Sequence, residues 1–326
     1  MIHLENISKV FKVATRKAST KDVLKSFFKK EYKEVRALDN ISLDIKEGEI
    51  VGYIGPNGAG KSTTIKIMCG ILVPTSGECI INGKVPYKQR KEYVKDIGVV
   101  FGQRSQLWWD VPPDDSFYLL KDIYKIPTKE FEETRQKLIN ALDLSQVINV
   151  PTRQLSLGQR MRCEIAASLL HRPKILFLDE PTIGLDAVSK IAVRRFIKEL
   201  NHNEGTTVIL TTHDMQDIEA LTNRVILIGK GKKLYDGSLD EIRKRYSSKF
   251  VMSVQYEYTN NKININDVEV IEQNEQRAIL SFNSNIIKLQ DVISLLTKQV
   301  NVLDVQVESS PIEEVIAKMY EEMHIW

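Results

Sequence analysis

The apolar stretch Ile50–Ile54 runs directly into Gly55-Pro56-Asn57-Gly58-Ala59-Gly60-Lys61-Ser62-Thr63, and the largely apolar TTIKIMCGIL follows. That order predicts a strand, a glycine-rich loop and a helix in immediate succession. Glycines leave room for backbone N–H groups to turn inward onto phosphate oxygens, where a Cβ would obstruct them. The N-terminus of the following helix adds partial positive charge. Lys61 has the reach for β- and γ-phosphates, and the Ser62 hydroxyl suits Mg²⁺. Kinases, GTPases and motors share such a loop, so it predicts nucleotide binding without choosing among reactions.

The rest of the chain narrows the choice. Ile175-Leu-Phe-Leu-Asp179-Glu180 is a short apolar run ending in two carboxylates. Four successive apolar residues fit a central parallel strand, whose C-terminal end is where ligands sit in open α/β sheets. Asp179 is suited to hold Mg²⁺ beside Ser62, directly or through water, and Glu180 to polarise an attacking water as general base. Upstream, Leu155-Ser156-Leu157-Gly158-Gln159-Arg160 leads into a stretch in which Met161, Ile165 and Leu169 recur at helical spacing. Ser156 is the natural N-cap. Ser-x-Gly at a helix start also offers a hydroxyl, exposed N–H groups and a positive dipole end, hence a second anion site. Two half-sites in one chain suggest two chains completing each other.

Around these motifs, residues 1–238 alternate short apolar runs with helical patterns, the sign of an α/β domain. Ile97–Phe101, Thr207–Leu210 and Val225–Ile228 are further buried strands by this criterion. Residues 13–34 form a lysine-rich insertion with Val23, Leu24, Phe27 and Phe28 grouped on one helical face. After residue 238 the pattern changes. Phe250, Met252, Val254, Tyr256 and Tyr258 alternate with mostly polar residues, and extended stretches are expected near 267–271 and 277–282. Ile286, Leu289, Ile293 and Leu296 then recur at helical spacing, Leu303, Val305 and Val307 alternate again, and a last helix opens at Ser310, Pro311 and Glu313. Its apolar face is Ile312, Val315, Ile316 and Met319. Residues 239–326 therefore read as a separate small α+β domain.

Taken together, these residues resemble the ATP-binding subunits of ABC transporters over about residues 1–238. GPNGAGKST is similar to the Walker A motif, ILFLDE to Walker B, and LSLGQ to the LSGGQ signature with Leu157 in place of a glycine. Ile183-Gly184-Leu185-Asp186 resembles the D-loop, and His213 in TTHDM the switch histidine. The resemblance implies a P-loop NTPase of ABC-ATPase type, a mixed sheet core with a helical subdomain at about 103–172. It implies a head-to-tail dimer, of like or related chains, with ATP and Mg²⁺ held between the P-loop of one chain and the signature of the other. Ser156, Leu157, Gly158, Gln159 and Asp186 would then meet the partner's ATP, and His213 the γ-phosphate. A glutamine linking Mg²⁺ to a membrane partner should follow IGVVF: Gln103 fits, with Gln106 as alternative. The adenine-stacking aromatic is Phe11 or Tyr32, and the KEVRALD after Tyr32 reads like the family's usual continuation.

Composition is consistent with this picture. Hydrophobic residues make up 42% and charged residues 27%, the balance of a globular protein. A net charge of +3 is too mild to argue for nucleic acid. No stretch approaches ~18 uninterrupted apolar residues, and the N-terminus lacks the pattern of a secretory signal, so a chain that stays in the cytoplasm is expected; the resemblance implies a place peripheral to the cytoplasmic face of the membrane. Three scattered cysteines suit a reducing compartment. The membrane channel would be a separate permease. GQRSQLWWD, LSLGQRMRCE and EPTIGLD resemble ABC-2-type exporter ATPases, while the basic insertion resembles polysaccharide exporters. A non-transport ABC ATPase would be expected to carry a second cassette, a coiled coil or a zinc motif. Trp108, Trp109 and Asp110 are the candidate surface for the permease.

Overall fold

The computed structural model describes residues 1–14, 32–102, 105–246, 249–309 and 312–323. Gln103, most of the basic insertion including Phe27 and Phe28, and the expected cap Ser310-Pro311 lie outside the described residues. Two compact units divide the chain, Met1–Gly237 and Ser238–Trp326.

The first unit contains β1 (Ile2–Ala14), β2 (Tyr32–Ile45), β3 (Ile50–Ile54), β4 (Ser76–Ile81), β5 (Ile97–Phe101), β6 (Ile175–Asp179), β7 (Thr207–Thr211), β8 (Arg224–Gly229) and β9 (Lys232–Ser238). Six of them form one sheet in the order β5-β6-β7-β3-β8-β9, with β5, β6, β7, β3 and β8 parallel. The inner strands are apolar along nearly their whole length because both faces are covered: Leu176, Phe177, Val208, Ile209, Val225 and Ile226 are fully buried. Lys230 and Gly231, both at positive φ, turn β8 back into β9 as a two-residue hairpin. A second, antiparallel sheet runs β2-β1-β4. Its inward positions Ile2, Leu4, Ile41 and Leu43 join one core with Ile65 and Phe177.

Between β5 and β6 the chain is helical, over Pro113–Tyr124, Thr128–Ala141 and Leu157–Leu169. The first starts with proline at its first position and two aspartates in its first turn, and ends on Lys125 in the left-handed conformation. Phe117, Phe131, Leu138, Met161 and Ile165 form the buried faces of the three helices. Cys69, Cys79 and Cys163 are free and buried, and burial pushes the Cys79 and Cys163 thiols up to about 12, so neither is poised as a nucleophile.

The second unit has β10 (Lys249–Tyr256), β11 (Val268–Gln273), β12 (Arg277–Asn283) and β13 (Val302–Ser309) in one antiparallel sheet ordered β11-β12-β10-β13. Met252, Val254 and Tyr256 share a core with Ala278, Leu280, Phe282 and with Val292 and Leu296 of the helix Leu289–Leu296. The Ile312–Glu322 helix buries Ile312, Val315, Ile316 and Met319, the face its periodicity marks, and adds Tyr320. Three expectations fail locally. Tyr258 lies beyond β10 and is 68% exposed, and Ile286 precedes its helix, which begins after Lys288. Leu303 alternates with Val305 and Val307 in sequence yet is 66% exposed. The cause is a register shift: Gln255 opposes Asp304 while Tyr256 opposes Val302, so Leu303 sits in a bulge and leaves the apolar face.

Phe177, at the centre of β6, is fully buried in the first core. Phe177→Ala is expected to cost about 3–5 kcal/mol, read as a lowered urea midpoint at unchanged m-value.

Candidate active site

The strand order makes β6, β7 and β3 consecutive neighbours, so the loops leaving their C-terminal ends meet. These loops carry Glu180–Asp186, Thr212–Asp214 and Gly55–Gly60. In the last, Gly58 and Gly60 take φ of 79° and 109°, which L side chains rarely adopt. The Lys61–Met68 helix begins there with no side-chain cap. The N–H groups of its first turn therefore have no intrahelical acceptor and remain available to an anion. Lys61 Nζ curls back onto the carbonyl oxygens of Gly55 at 2.6 Å and Pro56 at 3.2 Å. Burial holds the Lys61 pKa below its ordinary value, opposed by the charges of Glu180 and Asp179. Ser62 is exposed beside it.

Across the sheet edge, Asp179 Oδ1 accepts a hydrogen bond from Thr211 Oγ1, and the Glu180 N–H donates to the Thr211 carbonyl at 2.9 Å. Glu180 has φ 57°, unusual for a side chain of its size. Its Oε1 lies 3.0 Å from His213 Nε2. Asp179, Glu180 and His213 are thus adjoining, and Lys61 feels the field of both carboxylates. A group that sequence reasoning did not single out braces them. Asp217 is fully buried and accepts from Thr182 Oγ1, from Thr212 Oγ1 at 3.0 Å and from Arg194 Nε at 2.6 Å. It ties the loop after β6, the loop after β7 and the Ala187–Glu204 helix together. The sequence clue was THDMQD, with Asp214 capping the Met215–Leu221 helix and Asp217 one turn further.

The candidate second anion site lies at the start of the Leu157–Leu169 helix. Ser156 Oγ accepts from the Gln159 N–H at 3.2 Å, and the Ser156 N–H donates to Gln159 Oε1 at 2.9 Å, a complete capping box. Because the hydroxyl acts there as acceptor, its own proton remains free to donate. Gly158 is buried against the Asp186–Ser189 turn, where Asp186 caps the next helix through Ser189. About two turns along, Glu164 is 5% exposed and accepts from Ser105 Oγ and from the Gln106 N–H at 3.1 Å. Gln106 Nε2 donates to the Glu164 carbonyl at 2.8 Å, which anchors the amide nitrogen on the helix.

Phe11 and Tyr32 lie in the paired ends of β1 and β2, where Phe11 opposes Val35 and Tyr32 opposes Ala14. Phe11 and Ala14 are an odd number of residues apart, so the two aromatics start from opposite faces of the ribbon. Only one of them can present a ring to a given base. Lys9 Nζ sits 5.3 Å from the Phe11 ring centroid, and Tyr32 is 55% exposed. Trp108 and Trp109 are 44% and 53% exposed, with the Arg160 guanidinium 5.6 Å from the Trp109 ring. Among the described residues no three His, Cys, Asp or Glu side chains form a metal cage. Beside a nucleotide Mg²⁺ takes a carboxylate, a hydroxyl and phosphate oxygens; Asp179 and Ser62 would supply the first two, and the uncapped helix start would hold the phosphates. Among the described residues no helix is long and apolar enough to cross a membrane.

The family described as "ABC transporter" matches residues 38–183. The ABC transporter ATP-binding protein NatA of Bacillus subtilis is 32% identical over 215 residues, 66% of this chain and 87% of that protein. The probable multidrug ABC transporter ATP-binding protein YbhF of Escherichia coli is 34% identical over 66% of this chain and 36% of its own length. The methionine import ATP-binding protein MetN of Geobacillus kaustophilus is 32% identical over 73% of this chain and 66% of its own. This chain spans only 27% to 36% of the length of several curated relatives it matches. Among solved structures, a dimeric ATP-binding cassette in a post-hydrolysis state, bound to ADP and phosphate, superposes with TM-score 0.61 at 28% identity, over 73% of this chain and 98% of that one.

Burial raises the Glu164 pKa, with the bonds from Ser105 and Gln106 opposing. The folded chain therefore keeps a proton that the unfolded chain releases, and stability falls as pH climbs from the ordinary glutamate range through the raised value. Glu164→Gln is expected to flatten that fall in urea titrations run on either side of the interval. Equal slopes in both proteins would contradict the assignment.

Proposed function

This chain belongs to the ABC transporter ATP-binding family, and we propose that it is the ATP-hydrolysing subunit of a transporter whose membrane channel is a separate permease. The observation that carries the reading is the meeting of Lys61, Asp179, Glu180 and His213 at adjoining strand ends, with Glu180 Oε1 3.0 Å from His213 Nε2. The roles follow from their chemistry. Gly55, Pro56, Asn57, Gly58, Ala59, Gly60, Lys61, Ser62 and Thr63 receive the phosphates, with backbone donors doing most of the holding. Lys61 exchanges the carbonyls of Gly55 and Pro56 for phosphate oxygens. Ser62 and Asp179 would hold Mg²⁺, which when bound would offset the negative charge of the nucleotide's phosphates. Gln103, two residues after the end of β5, would be the third ligand in this scheme, with Gln106 as the alternative. Glu180 takes a proton from the attacking water, and His213 orients Glu180 and stabilises the γ-phosphate.

One chain supplies only half of each site in this reading. Ser156, Leu157, Gly158, Gln159 and Asp186 face the nucleotide of a partner chain, either a second copy or a related ATPase. Ser156 is well suited, because its hydroxyl proton is unused by the capping box. The relatives include both a probable multidrug protein and a methionine importer. The drug-export branch is favoured by GQRSQLWWD and LSLGQR, and the exposed Trp108–Trp109 pair gives the permease an aromatic footing. Action at the cytoplasmic face of the membrane follows from the same scheme. Residues 1–238 form the nucleotide-binding domain, with the helices between Gln103 and Arg172 as its helical subdomain, and residues 239–326 an accessory domain.

Glu180→Gln keeps size and polarity but cannot accept the water's proton. We expect ATP to bind with little change and turnover to fall by at least about 100-fold, measured as phosphate release alongside nucleotide binding. Wild-type turnover in that variant would remove Glu180 from the role of base.

A further inference from the structure

Leu157 is where the signature departs from the family's glycine, and its side chain is put to use. A Cβ built on Gly184 would lie 2.6 Å from Leu157 Cδ2, so the leucine fills the space that Gly184 leaves empty. Gly184 has φ 68°, a backbone that already excludes most side chains. One residue further the relation is reversed. A Cβ on Gly158 would lie 2.6 Å from Ser189 Oγ and 3.7 Å from Asp186 Oδ2. Each side of the contact therefore offers one knob and one glycine hole, and both glycines are needed for the closeness. The helix-starting turn that carries Ser156 and the segment Gly184–Ser189 are packed as one body.

That segment is in turn fastened to Glu180. The Ile183 N–H donates to the Glu180 carbonyl at 3.3 Å, and the Leu185 N–H to the Thr182 carbonyl at 3.2 Å. Ser156 is thus linked to Glu180 by short contacts through Leu157, Gly184 and Ile183. In the dimer proposed above, Ser156 meets the partner's nucleotide while Glu180 acts on the nucleotide of its own chain. We propose that Leu157 is a positioning residue that couples the two nucleotide sites, by seating the signature turn of each chain on that chain's own Gly184. The inference rests on the head-to-tail reading of the dimer. It adds a route by which occupancy of one site is felt at the base of the other.

The test uses the full chain and three variants, Leu157→Ala, Leu157→Gly and Leu157→Met. Leu157 is half-buried at a helix start, so the smaller residues spare the deep core. The readouts are the dependence of turnover on ATP concentration and ADP binding to the chain's own P-loop. Wild type is expected to be cooperative. Leu157→Ala and Leu157→Gly should lose that cooperativity, with a Hill coefficient of about 1, while ADP affinity stays within about twofold. Leu157→Met, which restores apolar reach over Gly184, should recover cooperativity. Leu157→Ala as cooperative as wild type, or a wild type that shows none, overturns the proposal and leaves the hydrolysis reading intact. A wild type with no ATP turnover overturns both.

Discussion

Everything at this site depends on how closely the Gly55–Gly60 loop can approach its neighbours. A Cβ on Gly60 would fall 2.7 Å from the Ala37 carbonyl oxygen and 2.6 Å from Leu38 Cδ2. One on Gly55 would fall 2.4 Å from the Ile228 carbonyl. The loop is wedged between β2 and β8 with no room for a side chain at Gly55 or Gly60, and the helix Lys61–Met68 starts from it with the N–H groups of its first turn unspent. Lys61 meanwhile waits on two carbonyls of the same loop, a modest contact that a phosphate can displace.

A second constraint sets the opposite wall. Asp179 and Thr211 end neighbouring parallel strands in direct register, and the bond between them fixes one carboxylate while the next residue turns into a left-handed backbone. Glu180 is thereby placed against His213 instead of continuing the strand. Behind them, Asp217 and Arg194 form a buried ion pair that also satisfies Thr182 and Thr212. A buried pair of this kind adds little net stability, but loss of either partner would leave an uncompensated charge. Its value here is geometric: it links three segments that each carry part of the site.

How much of this was legible in the sequence divides along contact range. The phosphate loop is one contiguous strand-loop-helix, so its residues and their chemistry could be read directly. The parallel strands announced themselves by unbroken apolar runs, and Ser156 as an N-cap by its place before a helical stripe; the Gln159 side chain that completes its capping box came only with the structure. What stayed hidden depends on partners far apart in the chain. Glu164 looks like any polar residue on a helix until Ser105 and Gln106 meet it from 58 or 59 positions away. Asp217 needs Arg194, and Leu303 needs the bulge opposite β10 to explain its exposure. The departure at Leu157 was visible at once. Its physical meaning was not, because the space it fills belongs to Gly184.

The central claim is that one chain carries two halves of different sites and that two chains complete them. The direct measurement is ATP turnover by a mixture of two crippled chains. Lys61→Ala removes the ammonium proposed to bind phosphate and leaves Ser156 intact, whereas Ser156→Arg blocks the signature turn and leaves Lys61 intact. Each variant alone should be nearly inactive. Their mixture should recover turnover, because one of the two sites in each mixed dimer then has an intact Lys61 facing an intact Ser156. A mixture no more active than the average of its components would contradict the account.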